Sequence, residues 1–453
     1  MAVIPAGDAE DAAHAVDVAA EAFATWGRSG PGERQRILLR AADVLDRRSG
    51  EVLNWLAAET GCGVHFGAVQ LEFTLSLLRQ AAGAAYSAVG QVLPSDLPGA
   101  FAMAVRRPVG VVAAIAPWNA ALVLSARSIA APLALGNTVV LKPSEESPFV
   151  GGVLWAEVFE EAGLPPGVLN VVTHAPGEAG AMGAELVAHP RVRRISFTGS
   201  TATGRRLAAA AGQHLKRIVL ELGGHNPLIV LADADPGYAV DAAIYGAFLH
   251  QGQICMCARR ILVERPIAAS FLDRLAARAE ALTCGDPRDE RTVLGPLINR
   301  DALDTVSRRV QEAVAGGARL LAGGRSAGPC YTATVITDVP SGCELARLET
   351  FGPVAMVEVV DSAEDAVRRA NDSAYGLAAG ILTGSSQRGL ELSDALDAGI
   401  VHINDQPIHD EPQMPFGGVK DSGWGRFGVP FATEEFTELR WVTMQQRPRP
   451  FPF

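Results

Sequence analysis

The chain has 453 residues, a formal net charge of -11, and 47 glycines and 28 prolines spread along its length. That length exceeds the usual single core, so two or three domains are expected. An acidic balance with no basic cluster argues against nucleic-acid binding. Six cysteines without a regular ladder speak for a reduced compartment rather than a disulfide framework.

The start, Met1 to Glu10, has no basic segment followed by an apolar core, and the apolar stretch Val109 to Ala126 is interrupted by Pro117, Trp118 and Asn119. Neither a secretory signal nor a membrane span is therefore expected, and the reading is a cytoplasmic protein. Residues 11 to 60 carry alanine and leucine at three- and four-residue intervals, which predicts helix, and a further helix is predicted over 66–85. Pro94, Pro98 and Gly99 break that pattern and introduce an extended arm over 91–107. From Gly110 short β-branched runs alternate with alanine-rich segments. Strands are predicted at 111–115, 138–141, 168–173, 194–197 and 217–220, with helices near 121–134, 150–162, 177–187 and 201–213. This βαβ series predicts an α/β fold with a mostly parallel sheet covered on both faces. A second α/β block follows, with helices near 237–250, 266–281, 300–315, 362–371 and 384–396, and strands near 260–264, 331–336, 354–359 and 379–382. The last region, 431–445, reads as an extended strand whose uncovered edge suits pairing with another subunit.

Four stretches carry chemistry. Gly199, Ser200 and Gly204 lie where a strand passes into a helix, where backbone N–H groups approach an anion such as a pyrophosphate. The G-x-G-x-x-G fingerprint and the P-loop lysine are absent, so glycine-assisted packing stays open as an alternative. Lys142 and Glu145 follow another strand of the same sheet, where a lysine and a glutamate suit ribose hydroxyls; a surface lysine before a helix start is the other reading. Asn119, after Ala116-Pro117-Trp118, is either an oxyanion donor or a helix cap. Cys255, in Gln251-Gly252-Gln253-Ile254-Cys255-Met256-Cys257, is the candidate nucleophile, and Glu221, before Gly223 and Gly224, the candidate base. The plain alternatives are a small buried hydrophobe and a surface carboxylate.

Together these stretches resemble the NAD(P)-dependent aldehyde dehydrogenase superfamily from about residue 11 to residue 444. The resemblance implies a Rossmann-like NAD-binding domain (1–90 and 108–222, with 401–428 returning to it), a catalytic domain (223–400) and a small β oligomerisation arm (91–107 and 429–453). It implies Cys255 as the thiol, Glu221 as the base for hydrolysis and Asn119 as the oxyanion donor. It further implies Trp118, Lys142, Glu145, Gly199, Ser200, Gly204, Glu349 and Phe351 around NAD, with no metal. Glu145 would bond a 2'-hydroxyl and repel a 2'-phosphate, which favours NAD over NADP. The aldehyde adds to Cys255, hydride leaves to the nicotinamide, and the thioester is hydrolysed to the acid.

Within the superfamily the stretches around Cys255 and His402-Ile403-Asn404-Asp405 look most like the benzaldehyde, salicylaldehyde and vanillin dehydrogenase group. A pocket of Leu124, Arg127, Ile254, Met256 and Trp424 is then expected for a flat ring bearing a polar substituent. An aliphatic or semialdehyde substrate, with Arg127 pairing a carboxylate, is the competing reading, and a non-catalytic structural relative the more distant one. A dimer or tetramer of identical chains is implied. One departure from the group stands beside the nucleophile, where Cys257-Ala258-Arg259-Arg260 replaces a run with a hydroxyl residue and a glutamate.

Overall fold

The computed structural model describes residues 3–453. Two sheets and a three-stranded arm organise the chain. The first sheet has six strands in the order Gly423–Trp424, Arg217–Glu221, Val192–Thr198, Val111–Ile115, Thr138–Lys142 and Leu169–Val171. All its pairs are parallel except the one made by Gly423–Trp424. Alternate residues of the Val111–Ile115 strand face opposite layers, as a strand buried on both sides requires. Val112 and Ala114 enter a core with the helices Pro31–Arg47, Val64–Ala84, Ala121–Ala134 and Leu154–Glu161. Val111, Ala113 and Ile115 enter another with Ala9–Trp26 and Ala179–Ala188. Each such Val or Ile contributes roughly 1.5–3 kcal/mol by leaving water.

The second sheet orders seven strands as Arg319–Ala322, Thr334–Thr337, Val354–Val360, Ala258–Glu264, Asn226–Val230, Ala378–Leu382 and Ile400–Ile403. Only the first of these pairs is antiparallel. The same alternation splits its core: Leu228 and Val230 pack with the helices Pro236–Phe248 and Arg265–Glu280, while Ile229 and Leu231 pack with Ala363–Asn371. In the arm, Gln91–Leu93, Ala100–Pro108 and Thr437–Gln445 are all antiparallel.

Two expectations need correction. Residues 431–436 are not extended, because Val429–Phe436 is a helix with proline in its first turn, and Ala432 and Phe436 are buried in the first core. The strand starts only at Thr437. The strands Asn226–Val230, Arg319–Ala322 and Ile400–Ile403 were also not anticipated, and the first of them lies inside the second sheet.

The switch in strand order fixes where a ligand sits. From Val111–Ile115 the chain proceeds to one side, through Thr138–Lys142 and Leu169–Val171, and then crosses to Val192–Thr198 on the other. The crevice between the loops leaving Ile115 and Thr198 is the place where open α/β sheets bind ligands.

Asn137 joins the arm to this sheet. Fully buried, its Oδ1 accepts from the N–H groups of Val109 (2.8 Å) and Gly110 (3.1 Å), and its Nδ2 donates to the carbonyls of Pro132 (3.1 Å) and Phe436 (3.0 Å). Asn137→Ala leaves the N–H groups of Val109 and Gly110 and the Phe436 carbonyl without these partners, whereas Pro132 O keeps the Asn137 backbone N–H at 3.0 Å. The expected loss is about 3 kcal/mol of unfolding free energy, measured by urea denaturation; a change below about 0.5 kcal/mol would refute the anchoring role.

Candidate active site

The crevice holds a cavity of about 260 Å³ lined by Pro117, Trp118, Asn119, Thr198, Gly199, Ser200, Glu221, Leu222, Gly223, Cys255, Glu349 and Phe351. Eight residues predicted from separate parts of the sequence therefore share one wall: Cys255, Glu221, Asn119, Trp118, Gly199, Ser200, Glu349 and Phe351.

Each is positioned by its local chain. Glu221 ends the strand Arg217–Glu221, and the turn after it is held by the return segment, with Leu222 N–H donating to Ser422 O and the Ser422 hydroxyl to Gly223 O. Gly223 is required by close approach, since a Cβ there would stand 2.3 Å from a Glu349 carboxylate oxygen. Gly204 lies in the first turn of the helix Thr201–Gln213, where a Cβ would stand 2.5 Å from Leu222. Ser200 caps that helix by accepting from Thr203 N–H at 3.3 Å, which leaves the first N–H groups of the helix at the crevice.

The nucleophile loop is held from outside. His250 and Gln251 both adopt left-handed backbone, at φ 50° and 54°, which is unfavourable for non-glycine residues. Gln251 Nε2 donates to Gly61 O and Pro296 O, and Asn119 Nδ2 donates to Gln253 O at 3.0 Å. Asn226 Nδ2 donates to the carbonyls of both Cys255 (2.8 Å) and Cys257 (2.9 Å). The buried Arg259 donates to Gly352 O at 2.7 Å and to Gly252 O, joining the loop to the segment that carries Glu349 and Phe351. The Phe351 ring meets Trp118 edge-on, with centroids 5.6 Å apart.

Burial governs the charges. It pushes the Glu221 carboxyl up to about 8, partly offset by the Arg127 charge, and pushes Glu349 up to about 7, offset by the Gly224 N–H at 3.1 Å. The Cys255 thiol is raised by burial and then by the negative charges of Glu221 and Glu349. Glu221 Oε1 is buried and has no hydrogen-bond partner among the described residues. A carboxylate with a free lone pair beside a thiol is arranged to take a proton, from the thiol or from a water.

Lys142 ends the strand Thr138–Lys142 and Glu145 follows it, both outside the cavity wall. Burial lowers Lys142 to about 8, and its Nζ lies 2.6 Å from His174 Nε2. Two residues of the expected ring pocket have partners of their own. Arg127 is not free for a ring substituent: its buried guanidinium pairs with Asp410 and lies over the rings of Phe416 (4.2 Å), Phe73 (5.6 Å) and Phe427 (5.9 Å). Trp424 lies on the edge strand, half exposed, with its indole N–H donating to Ile218 O, away from the strand end where Glu221 sits. Leu124, Ile254 and Met256 are buried around the site without lining the cavity; Ile254 and Met256 flank Cys255 in the first core.

The profile of the aldehyde dehydrogenase family matches residues 1–442. The chain belongs to the aldehyde dehydrogenase family. It is 46% identical over 449 residues to a vanillin dehydrogenase of Pseudomonas fluorescens, covering 99% of this chain and 93% of that one. It is 44% identical over 454 residues to a benzaldehyde dehydrogenase [NAD(+)] of Pseudomonas putida, covering 100% and 92%. Its fold superposes on the crystal structure of a salicylaldehyde dehydrogenase from Pseudomonas putida G7 complexed with salicylaldehyde, with a TM-score of 0.96 and 39% identity over 99% of this chain and 93% of that one. The protein is thus an NAD-dependent aldehyde dehydrogenase that oxidises an aldehyde to the acid. Among the described residues of the dehydrogenase, no helix is long and apolar enough to cross a membrane.

Sequence reasoning assigned no role to Asn226, Asp410 or Arg259 in this dehydrogenase. Arg259 alone gave a signal, as a charge-reversed position beside the nucleophile. Arg259→Ala leaves the Gly252 carbonyl without its donor and takes one of two donors from Gly352 O, which keeps the Val354 N–H at 2.8 Å. It is expected to lower kcat at least about tenfold and stability by about 2–3 kcal/mol, with Arg259→Lys retaining part of both. Steady-state kinetics and urea denaturation measure these losses; wild-type kcat in Arg259→Ala would remove the residue from the site's support.

Proposed function

We propose that the chain oxidises an aromatic aldehyde of the benzaldehyde, salicylaldehyde or vanillin type with NAD, through a covalent adduct on Cys255. The observation that carries the covalent oxidation is the meeting of Cys255, Glu221 and Asn119 in one cavity. The similarity to vanillin and benzaldehyde dehydrogenases supports the same class. The matching of Arg127 by Asp410 speaks against the semialdehyde alternative, because that guanidinium is already neutralised.

Glu221 takes the thiol proton, directly or through a water, and Cys255 Sγ adds to the aldehyde carbon. The developing oxyanion is held by the second N–H of the Asn119 amide and the Cys255 backbone N–H, which has no acceptor among the described residues. Donors of this kind contribute about 3–4 kcal/mol each. NAD, when bound, accepts the hydride. Lys142 and Glu145 would hold its adenosine ribose, the N-terminus of the helix Thr201–Gln213 its pyrophosphate, and Glu349 and Phe351 its nicotinamide side. Glu221 passes the first proton to solvent and then removes a proton from water as the water attacks the thioester, the Cys255 sulfur leaving as the thiolate and the carboxylic acid being released.

A homo-oligomer, dimer or tetramer, and a cytoplasmic location belong to the same reading. The strand Thr437–Gln445 pairs on one side only and exposes Leu439, Trp441 and Met444, an apolar edge suited to another copy. All six cysteines are unpaired.

Turnover with benzaldehyde, salicylaldehyde, vanillin, hexanal and succinic semialdehyde, followed as NADH absorbance, tests the substrate class. At least one aromatic aldehyde is expected to exceed both aliphatic ones in kcat/KM by about tenfold or more, and NAD to exceed NADP; hexanal ahead of every aromatic aldehyde would sink the assignment. Glu221→Gln is expected to give a burst of about one NADH per site followed by turnover slowed about 10²–10⁴-fold. In the unmodified enzyme, hydrolysis should rise as pH increases through about 8, because the carboxylate is the active form and burial delays its ionisation to that range. The variant should lose that limb. A pH profile unchanged by Glu221→Gln removes the residue from the base role.

A further inference from the structure

At the adenosine end of the crevice, Lys142 and Glu145 do not pair with each other. Lys142 closes its strand and is buried, and the neighbouring strand Leu169–Val171 runs on to His174, whose side chain is 1% exposed. His174 Nδ1 lies 2.9 Å from Ala175 O, and His174 Nε2 lies 2.6 Å from Lys142 Nζ. A carbonyl only accepts, so Nδ1 carries the ring proton and Nε2 offers its lone pair to the ammonium. Lys142 also donates to Pro143 O at 3.3 Å. Two of its three N–H groups are then occupied and one is left. Glu145 is partly exposed, and one of its oxygens lies 3.5 Å from His174 Nε2.

We propose that His174 is a positioning residue for the cofactor's adenosine ribose: as a neutral acceptor it holds Lys142 away from Glu145, so that one N–H and one carboxylate remain for the ribose hydroxyls. A carboxylate in its place would neutralise Lys142, and an apolar side chain would let the lysine close onto Glu145. Only a neutral acceptor leaves both charges in place. The unneutralised Glu145 also opposes a 2'-phosphate, so the same contact sharpens the preference for NAD over NADP. The proposal rests on the assignment of Lys142 and Glu145 to the ribose.

Calorimetric titration of the full-length protein with NAD and with NADP, in the absence of aldehyde, tests it. His174→Leu removes the acceptor at similar volume, and His174→Gln returns an amide oxygen near the position of Nε2. The Leu variant is expected to raise the Kd for NAD about tenfold and to narrow the NAD-to-NADP ratio. The Gln variant should return to within about threefold of wild type. The kcat at saturating NAD should stay within about twofold in both, because the contact is remote from the reacting atoms. An unchanged Kd in His174→Leu would overturn the proposal for His174 alone, as would equal weakening in both variants together with a lowered melting temperature. Failure of the wild-type protein to bind NAD would overturn the cofactor assignment, and this proposal with it.

Discussion

The site depends on a loop that does not hold itself. Between His250 and Cys257 the backbone contains two strained left-handed residues, and its carbonyls point outward to side chains from elsewhere. Asn119 comes from the end of one sheet, Asn226 from the start of an inner strand of the other, and Arg259 from the strand that the loop feeds into. Each supplies N–H groups to carbonyls that would otherwise be buried without partners, an omission costing about 1–3 kcal/mol per group. The loop thus exists in its working shape only when both sheets are assembled around it. The precise placement of Cys255 is a property of the whole crevice.

Electrostatics follow from the same enclosure. Three acidic groups, Glu221, Glu349 and the Cys255 thiol, share a space where burial disfavours every charged form. The Arg127 charge, held by Asp410 and three aromatic rings, relieves that pressure from a distance without lining the cavity. The residue expected from the sequence to meet the substrate is thus paired with Asp410 and enclosed by three rings. The two carboxyls are left close to the point of proton exchange near neutral pH, the condition in which acid–base work is most effective, while the thiol is held in its neutral form until a base takes its proton.

Much of the architecture was legible in the sequence. The β-branched runs of the first sheet gave Val111–Ile115, Thr138–Lys142 and Arg217–Glu221 almost to the residue, because strands buried on both faces are uniformly apolar. Asn226–Val230 was not legible because Pro227 near its start argues against an inner strand; the ladder accommodates it with a register shift between Asn226 and Pro227. The helix Val429–Phe436 was hidden by its aromatic and threonine content, although Pro430 in its first turn was a usable sign. The residues that line the cavity were found through their family motifs. The side chains that hold them were not, because Asn226, Asp410 and His174 act through contacts that cross between distant segments and leave no local pattern.

The arm has a consequence for how the chain is made. Its strand Ala100–Pro108 is made long before its partner Thr437–Gln445, and the segment between the two strands holds most of both sheets. The edge strand Gly423–Trp424 joins its neighbour at Arg217–Glu221 equally late. During synthesis the early strand therefore waits with its pairing groups open, protected only by its own short hairpin with Gln91–Leu93. The arm therefore closes only after the strands that form most of both sheets have been made, so its completion follows the folding of the crevice it flanks.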